Sequence, residues 1–141
     1  MKSLNFTVPG SFDMILDGRK TLTIRGLYIP TYRTGERIRL LDIKRKDGEK
    51  IILREAFATV ADVFPVQLKD ITDDVARKEG FNDAKESKQW LRETYNLKDN
   101  KNQWLFVTVF KDVSNSKRLN PWARENRRLE EFLEESTSER A

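Results

Sequence analysis

Two strand-like runs, 37–44 and 51–63, meet across Arg45-Lys46-Asp47-Gly48-Glu49-Lys50. Asp-Gly accepts the backbone angles of a tight hairpin turn, so these runs predict adjacent antiparallel strands. The second run is long enough to bend or bulge, with the break expected near Ala56 or Ala58. A sheet built on this hairpin is the frame into which the rest of the chain must fit.

The remaining segments supply partners for that frame. Leu4, Phe6 and Val8 alternate with polar residues and read as a strand closed by Pro9-Gly10. Ser11 is placed to cap a short helix whose Phe12, Ile15 and Leu16 share one face, and Gly18 to end it in a left-handed conformation. Residues 21–25 alternate strictly, so Leu22 and Ile24 face a core while Thr21, Thr23 and Arg25 face the other way. A loop is expected over 26–36, around Pro30 and the turn Thr34-Gly35-Glu36. Beyond Pro65 the period becomes helical, first over about 73–78 and then from Asn82 or Asp83 to about Tyr95, with Ala84, Trp90, Leu91, Thr94 and Tyr95 as the buried stripe. Residues 104–110 form a nearly continuous apolar run, expected to be a central strand. A domain over 1–113 is followed by a polar linker at 114–120, a helix at 121–135 opened by Asn120-Pro121, and a frayed tail at 136–141. That last helix reads as a solvated element resting on the domain, or as one that docks a partner or a second protomer.

Composition narrows the chemistry. The 141 residues include no cysteine and no histidine, which removes disulfides, thiolate nucleophiles and the usual imidazole base or metal ligand. No metal or organic cofactor is expected. The apolar runs are too short to cross a bilayer and the N-terminus lacks a signal-peptide core, so the chain reads as soluble and cytoplasmic. Net charge is only +4, but residues 1–60 hold 12 basic and 7 acidic side chains, whereas 114–141 hold 6 of each. The positive field belongs to the N-terminal half and suits a phosphate-bearing partner.

The densest group of reactive residues is Gly18-Arg19-Lys20-Thr21-Leu22-Thr23-Ile24-Arg25. Amide hydrolysis needs a nucleophile, a base, an acid for the leaving nitrogen and positive dipoles near the oxyanion. Without His or Cys, a Thr hydroxyl with a Lys partner is among the few combinations left. It requires a Lys20 depressed from about 10.4 by desolvation or by neighbouring cations, for which Arg19 and Arg25 are placed. Lys20 and Thr23 are an odd number apart, so Lys20 has to sit in the turn after Gly18, before pleating begins. Each residue also has a plainer use: Lys20 and Arg19 complement a helix dipole, Thr23 is a good strand former, and Glu79 is a helix-end carboxylate.

Gly18, Lys20, Thr23 and Arg25 occupy the four marked places of a G-x-K-x-x-[E/T]-x-R signature after a short helix, and Ala76-Arg77-Lys78-Glu79-Gly80-Phe81 leads into a helix with Trp90 and Tyr95. On these residues, over about 3–112, the chain resembles the ASCH domains of the PUA-like superfamily, and its signature is similar to that of the small bacterial N(4)-acetylcytidine amidohydrolases. The resemblance implies a mixed α+β fold with a small curved or barrel-like sheet of about five or six strands, two or three flanking helices and an added C-terminal helix. It also implies catalytic roles for Lys20, Thr23 and Glu79.

A second class of function stays open. Arg33, Arg37, Arg39, Lys44, Arg45, Lys46 and Lys50 gather around the hairpin, and Tyr28 and Tyr32 lie in the loop facing the signature. Aromatic rings beside cations suit a splayed base, whereas charges on an edge hairpin also block strand pairing. The expectation is recognition of RNA or a modified nucleoside by Arg19, Arg25, Tyr28, Tyr32, Arg45 and Lys46, with hydrolysis of N(4)-acetylcytidine as its sharper form. A non-catalytic module for single-stranded RNA, or a ribonuclease, is the alternative.

Overall fold

A computed structural model of the protein describes residues 1–97 and 103–115. The expected hairpin is present as β3 (Arg37–Lys46) and β4 (Glu49–Gln67), antiparallel and closed at Asp47-Gly48. β1 (Ser3–Phe6) pairs parallel with β3, while β5 (Trp104–Asn115) pairs antiparallel with both β4 and β2 (Leu22–Arg25). The sheet order is therefore β1-β3-β4-β5-β2, with β1 and β2 as its edges.

β4 runs for 19 residues, longer than the pattern predicted, and its pairing with β5 slips between Phe57 and Thr59 and again between Val60 and Asp62. Each slip inserts a residue and bends the strand, so the sheet curls into a half-barrel. The curl brings its two edges together. Phe6 of β1 meets Phe110 of β5 edge-on at 6.2 Å between centroids, and Arg25 of β2 donates from its guanidinium to the Asn5 carbonyl of β1. No backbone ladder joins β1 to β2; side chains bridge that seam.

Two cores lie on opposite faces of the β2–β5 pair. Inside the curl, Leu4, Phe6, Phe12, Ile15, Ile38, Leu40, Val60 and Phe110 pack together. Outside it, Leu22, Ile24, Leu105 and Val107 pack on Ala76 and Leu91 from two helices, α2 (Asp73–Glu79) and α3 (Ala84–Thr94). The alternation expected of residues 21–25 is thus realised, with Thr23 turned away from Leu22 and Ile24. Burial at these positions is nearly complete, which ties β2 to both layers although it is only four residues long.

Local departures have physical reasons. β1 stops at Phe6, and Val8 is exposed because Pro9-Gly10 turns the chain into α1 (Ser11–Leu16). The α1 cap position belongs to Gly10, and Ser11 is buried as the first helical residue instead of capping. On α3 the buried line is Ser87–Leu91, with Trp90, Tyr95 and Ala84 half-buried and Thr94 exposed, because Ser87 is drawn inward by a carboxylate. β5 continues through Ser114 and Asn115, where the sequence pattern begins a linker. The rest of that linker, the helix at 121–135 and the tail at 136–141 lie outside the described residues. Among the described residues, no helix is long and apolar enough to cross a membrane.

Gly26, just past β2, is in close approach to the outer core: a Cβ there would lie 3.0 Å from Leu105 Cδ2 and 3.2 Å from the Tyr95 ring. Leu105 is fully buried and Tyr95 is held edge-on against Trp90, so neither has room to retreat. Gly26→Ala is expected to destabilise the fold by about 1–2 kcal/mol through overpacking. Urea denaturation measures it, and an unchanged or raised midpoint would contradict the packing described.

Candidate active site at the seam of the sheet

The seam between β1 and β2 gathers most of the polar residues singled out above. α1 ends at Leu16, Gly18 takes φ 85, and the Lys20 amide returns to the Met14 carbonyl at 2.9 Å. Lys20 therefore precedes β2, and the pleat does not dictate its direction. Its side chain runs inward, only 6% exposed, with Nζ donating to the Glu79 carbonyl at 2.6 Å and 5.9 Å from the Phe6 ring centroid.

Glu79 arrives from α2, whose last turn lies along the unpaired edge of β2. The Thr21 amide donates to the Lys78 carbonyl at 2.8 Å, and the Ile24 amide donates to Glu79 Oε2 at 2.6 Å. These contacts satisfy an edge strand that would otherwise expose its amides. Gly80 ends α2 immediately afterwards with φ 103, and the Phe81 amide reaches the Ala76 carbonyl at 3.0 Å. Only glycine adopts that angle without strain, and the abrupt stop leaves Glu79 at the helix end facing β2. Ser87 Oγ of α3 donates to Glu79 Oε1 at 3.3 Å.

Thr23 and Arg25 share the concave face of β2. Thr23 is 4% exposed and sits opposite Thr108 of β5, whose hydroxyl hydrogen-bonds the Tyr32 hydroxyl from the following loop. Arg25 Nε reaches Thr23 Oγ1 at 3.5 Å, and its guanidinium lies 4.8 Å from the Phe6 ring centroid. One cation therefore touches the candidate nucleophile, the opposite edge strand and the aromatic floor.

Burial sets the electrostatics. Desolvation pulls the Lys20 ammonium down from 10.5 to about 8; Arg25 adds to the fall and Glu79 opposes it. Desolvation likewise raises the Glu79 carboxyl, against Lys20, the Ile24 amide, Ser87 and Arg25, which all favour its charged form. The Tyr32 hydroxyl is pushed up by burial, with Thr108 and Arg25 opposing. Burying ionisable groups that resist ionisation costs stability. The amine is shifted down and the carboxyl up, so burial moves the two groups toward one another.

Not every expected residue enters this site. Arg19 points out and pairs with Asp17 at 2.6 Å, so the positive neighbour of Lys20 is Arg25 alone of the two. Tyr28 is 80% exposed in the loop beyond β2, while Tyr32 of the same loop lies inside. Arg45 and Lys46 stand at the hairpin turn, paired in register with Lys50 and Glu49; among the described residues no contact carries them to Lys20, Thr23 or Glu79. Three contributors escaped the sequence reading: Phe6, Ser87 and Thr108. Thr108 had left a signal, as the only polar residue in the apolar run 104–110, and Ser87 had left another, as a small polar residue four positions before Leu91. Among the described residues, no three acidic side chains gather in a way that would hold a metal ion.

No protein-family model matches the chain, and no curated protein matches it in sequence. Solved structures do match it in shape. An ASCH protein from Zymomonas mobilis superposes with a TM-score of 0.57 at 16% identity, over 89% of this chain and 78% of that one. A protein from Enterococcus faecalis described by the family model DUF984 gives 0.56 at 16% identity, over 85% of each chain. An ASCH domain from Lactobacillus crispatus gives 0.51 at 18% identity, over 78% of this chain and 77% of that one. The curled five-stranded mixed sheet with its flanking helices is thus the α+β, PUA-like fold of the ASCH domains.

Proposed function

We propose that the seam site recognises a cytidine acylated at N4 and hydrolyses its amide, with N(4)-acetylcytidine as the reference substrate. Thr23 Oγ attacks the acetyl carbonyl while neutral Lys20 takes the hydroxyl proton. Protonated Glu79 gives its proton to N4 as the C–N bond breaks, releasing cytidine and leaving an acetyl ester on Thr23. Glu79 then takes a proton from the water that attacks the ester, Lys20 returns its proton to Thr23 Oγ, and acetic acid leaves and ionises to acetate in solution. Arg25, in contact with Thr23, is placed to balance the oxyanion of both steps.

The observation that carries this reading is the buried Lys20, lowered to about 8 and held between the Glu79 carbonyl and the Phe6 ring. At about pH 7 such a lysine is neutral in about one molecule in ten, against fewer than one in a thousand for an exposed lysine. The test is to incubate the protein with N(4)-acetylcytidine and measure cytidine and acetate. Turnover is expected to rise with pH toward about 8, as Lys20 loses its proton, and to fall again where Glu79 loses the proton it gives to N4. Absence of acetate release across that range would overturn the reading.

A non-catalytic RNA-binding role is favoured by a different observation, the exposed Tyr28 together with the exposed cation Arg45 at the hairpin turn. It predicts oligonucleotide affinity that falls with salt and survives loss of Lys20.

A further inference from the structure

Glu79 is met on both carboxyl oxygens, and the two partners differ in kind. Oε2 accepts from the Ile24 amide at 2.6 Å, and Oε1 from the Ser87 hydroxyl at 3.3 Å. The amide belongs to β2, where Ile24 is fixed opposite Val107 of β5, so it cannot turn and can only donate. A hydroxyl turns about its own bond and both donates and accepts.

The corner between α2 and α3 sets Ser87 against Glu79. Asp73 in the first turn of α2 accepts from the Ala84 amide at 2.8 Å, Arg77 Nε donates to the Asn82 carbonyl at 3.2 Å, and Phe81 packs on Trp90 at 5.8 Å between centroids. Ser87 is 0% exposed and shares the buried line of α3 with Leu91. Alanine would fill that place with a better helix propensity and no polar atom to satisfy, so packing gives no reason for a serine.

We propose that Ser87 is a positioning residue that assigns the proton of Glu79 to Oε1 and stays hydrogen-bonded to that oxygen whether or not it carries the proton. This rests on the role of Glu79 proposed above, as a group that gives a proton to N4 and later takes one from water. In a neutral carboxyl the oxygen facing a fixed N–H remains the carbonyl, so the proton goes to Oε1, where Ser87 Oγ accepts it until N4 takes it. The serine hydrogen then turns to the Asp83 carbonyl one helical turn back, an acceptor that helix serines commonly use and that already takes the Ser87 amide at 3.2 Å. Once Glu79 has given up its proton, the hydroxyl swings round and donates to the carboxylate. Neither state strands a buried polar atom. Lys20, from the turn before β2, and Arg25, from β2 itself, are the charged groups that act on Glu79; α3 contributes the uncharged Ser87.

The test is Ser87→Ala in the full chain, read by carbon NMR titration of protein labelled at glutamate Cδ, with Glu79→Gln to assign the Glu79 signal. Loss of the hydroxyl takes a donor from the charged form, so Glu79 is expected to titrate about one pH unit higher. The falling arm of the turnover profile for N(4)-acetylcytidine should move up with it while KM stays unchanged, since Ser87 does not reach the substrate. Ser87→Thr restores a hydroxyl and should bring the titration back toward wild type. A Glu79 that titrates in Ser87→Ala as it does in wild type would overturn the proposal even if acetate is released, and so would a folded Ser87→Thr that titrates like Ser87→Ala. If the titration shifts as expected while wild type never releases acetate, Ser87 keeps its hold on the Glu79 proton and the hydrolase reading falls.

Discussion

If the seam is a hydrolase site as proposed, Lys20→Met is expected to lower kcat for N(4)-acetylcytidine hydrolysis by about 10³-fold, the usual scale for loss of a general base. Methionine nearly matches the length of the lysine stem, so the inner packing beside Phe6 survives while the amine is lost. The same variant has a second signature in stability. Folded Lys20 releases its proton near 8, whereas the unfolded chain holds it to 10.5. Between those values the unfolded state binds more protons, so wild-type stability rises with pH across the window. Below about 8 the cost of burying the ammonium is present in full, roughly 3 kcal/mol if this shift acts alone. In Lys20→Met the rise disappears. Urea denaturation of both proteins across the window measures it; parallel pH profiles would mean that Lys20 is not desolvated as described, and full activity in the variant would remove it from the mechanism.

Thr23→Val is the other large effect expected on the same proposal: activity should fall at least about 10³-fold, because the proposed attacking oxygen is gone. The change is isosteric, and among the described residues the hydroxyl's hydrogen bond is the long one from Arg25 Nε, at 3.5 Å. Stability should therefore move by no more than about 1 kcal/mol. That combination separates a nucleophile from a structural threonine. Valine is also a good strand former, so β2 has no reason to weaken. Mass spectrometry offers a positive control, since the wild type should carry a transient acetyl group on Thr23 that the variant cannot form. Retained turnover in Thr23→Val would reassign the attack to water.

The parts of the fold that were readable from the chain were those with a local physical cause. Asp47-Gly48 announces the hairpin because its turn tolerates positive φ, and both residues take such angles. Leu22 and Ile24 alternate with Thr23 and Arg25, and the outer core takes only the first pair. Of the two candidates for the start of α3, Asn82 and Asp83, Asp83 is the cap, accepting from the Glu86 amide at 2.9 Å. Less legible was Ser87, which reads as a solvated helix serine until Glu79 is placed opposite it. Arg19 and Arg25 look equivalent in sequence, yet one lies in solvent beside Asp17 and the other closes the seam.

By itself, the sequence determined that any base in this protein must be something other than histidine or cysteine, and that Lys20 leaves a helix through a glycine turn into an alternating strand. Tertiary structure alone decided that this lysine is buried, that Glu79 reaches β2, and that Tyr32 meets Thr108. Those contacts join residues 59, 55 and 76 positions apart. Hydrophobic period and turn chemistry act over a few residues, whereas desolvation depends on which distant segments exclude water. The curl of β4 brings the two edges of the sheet together, and with them the surroundings that shift Lys20.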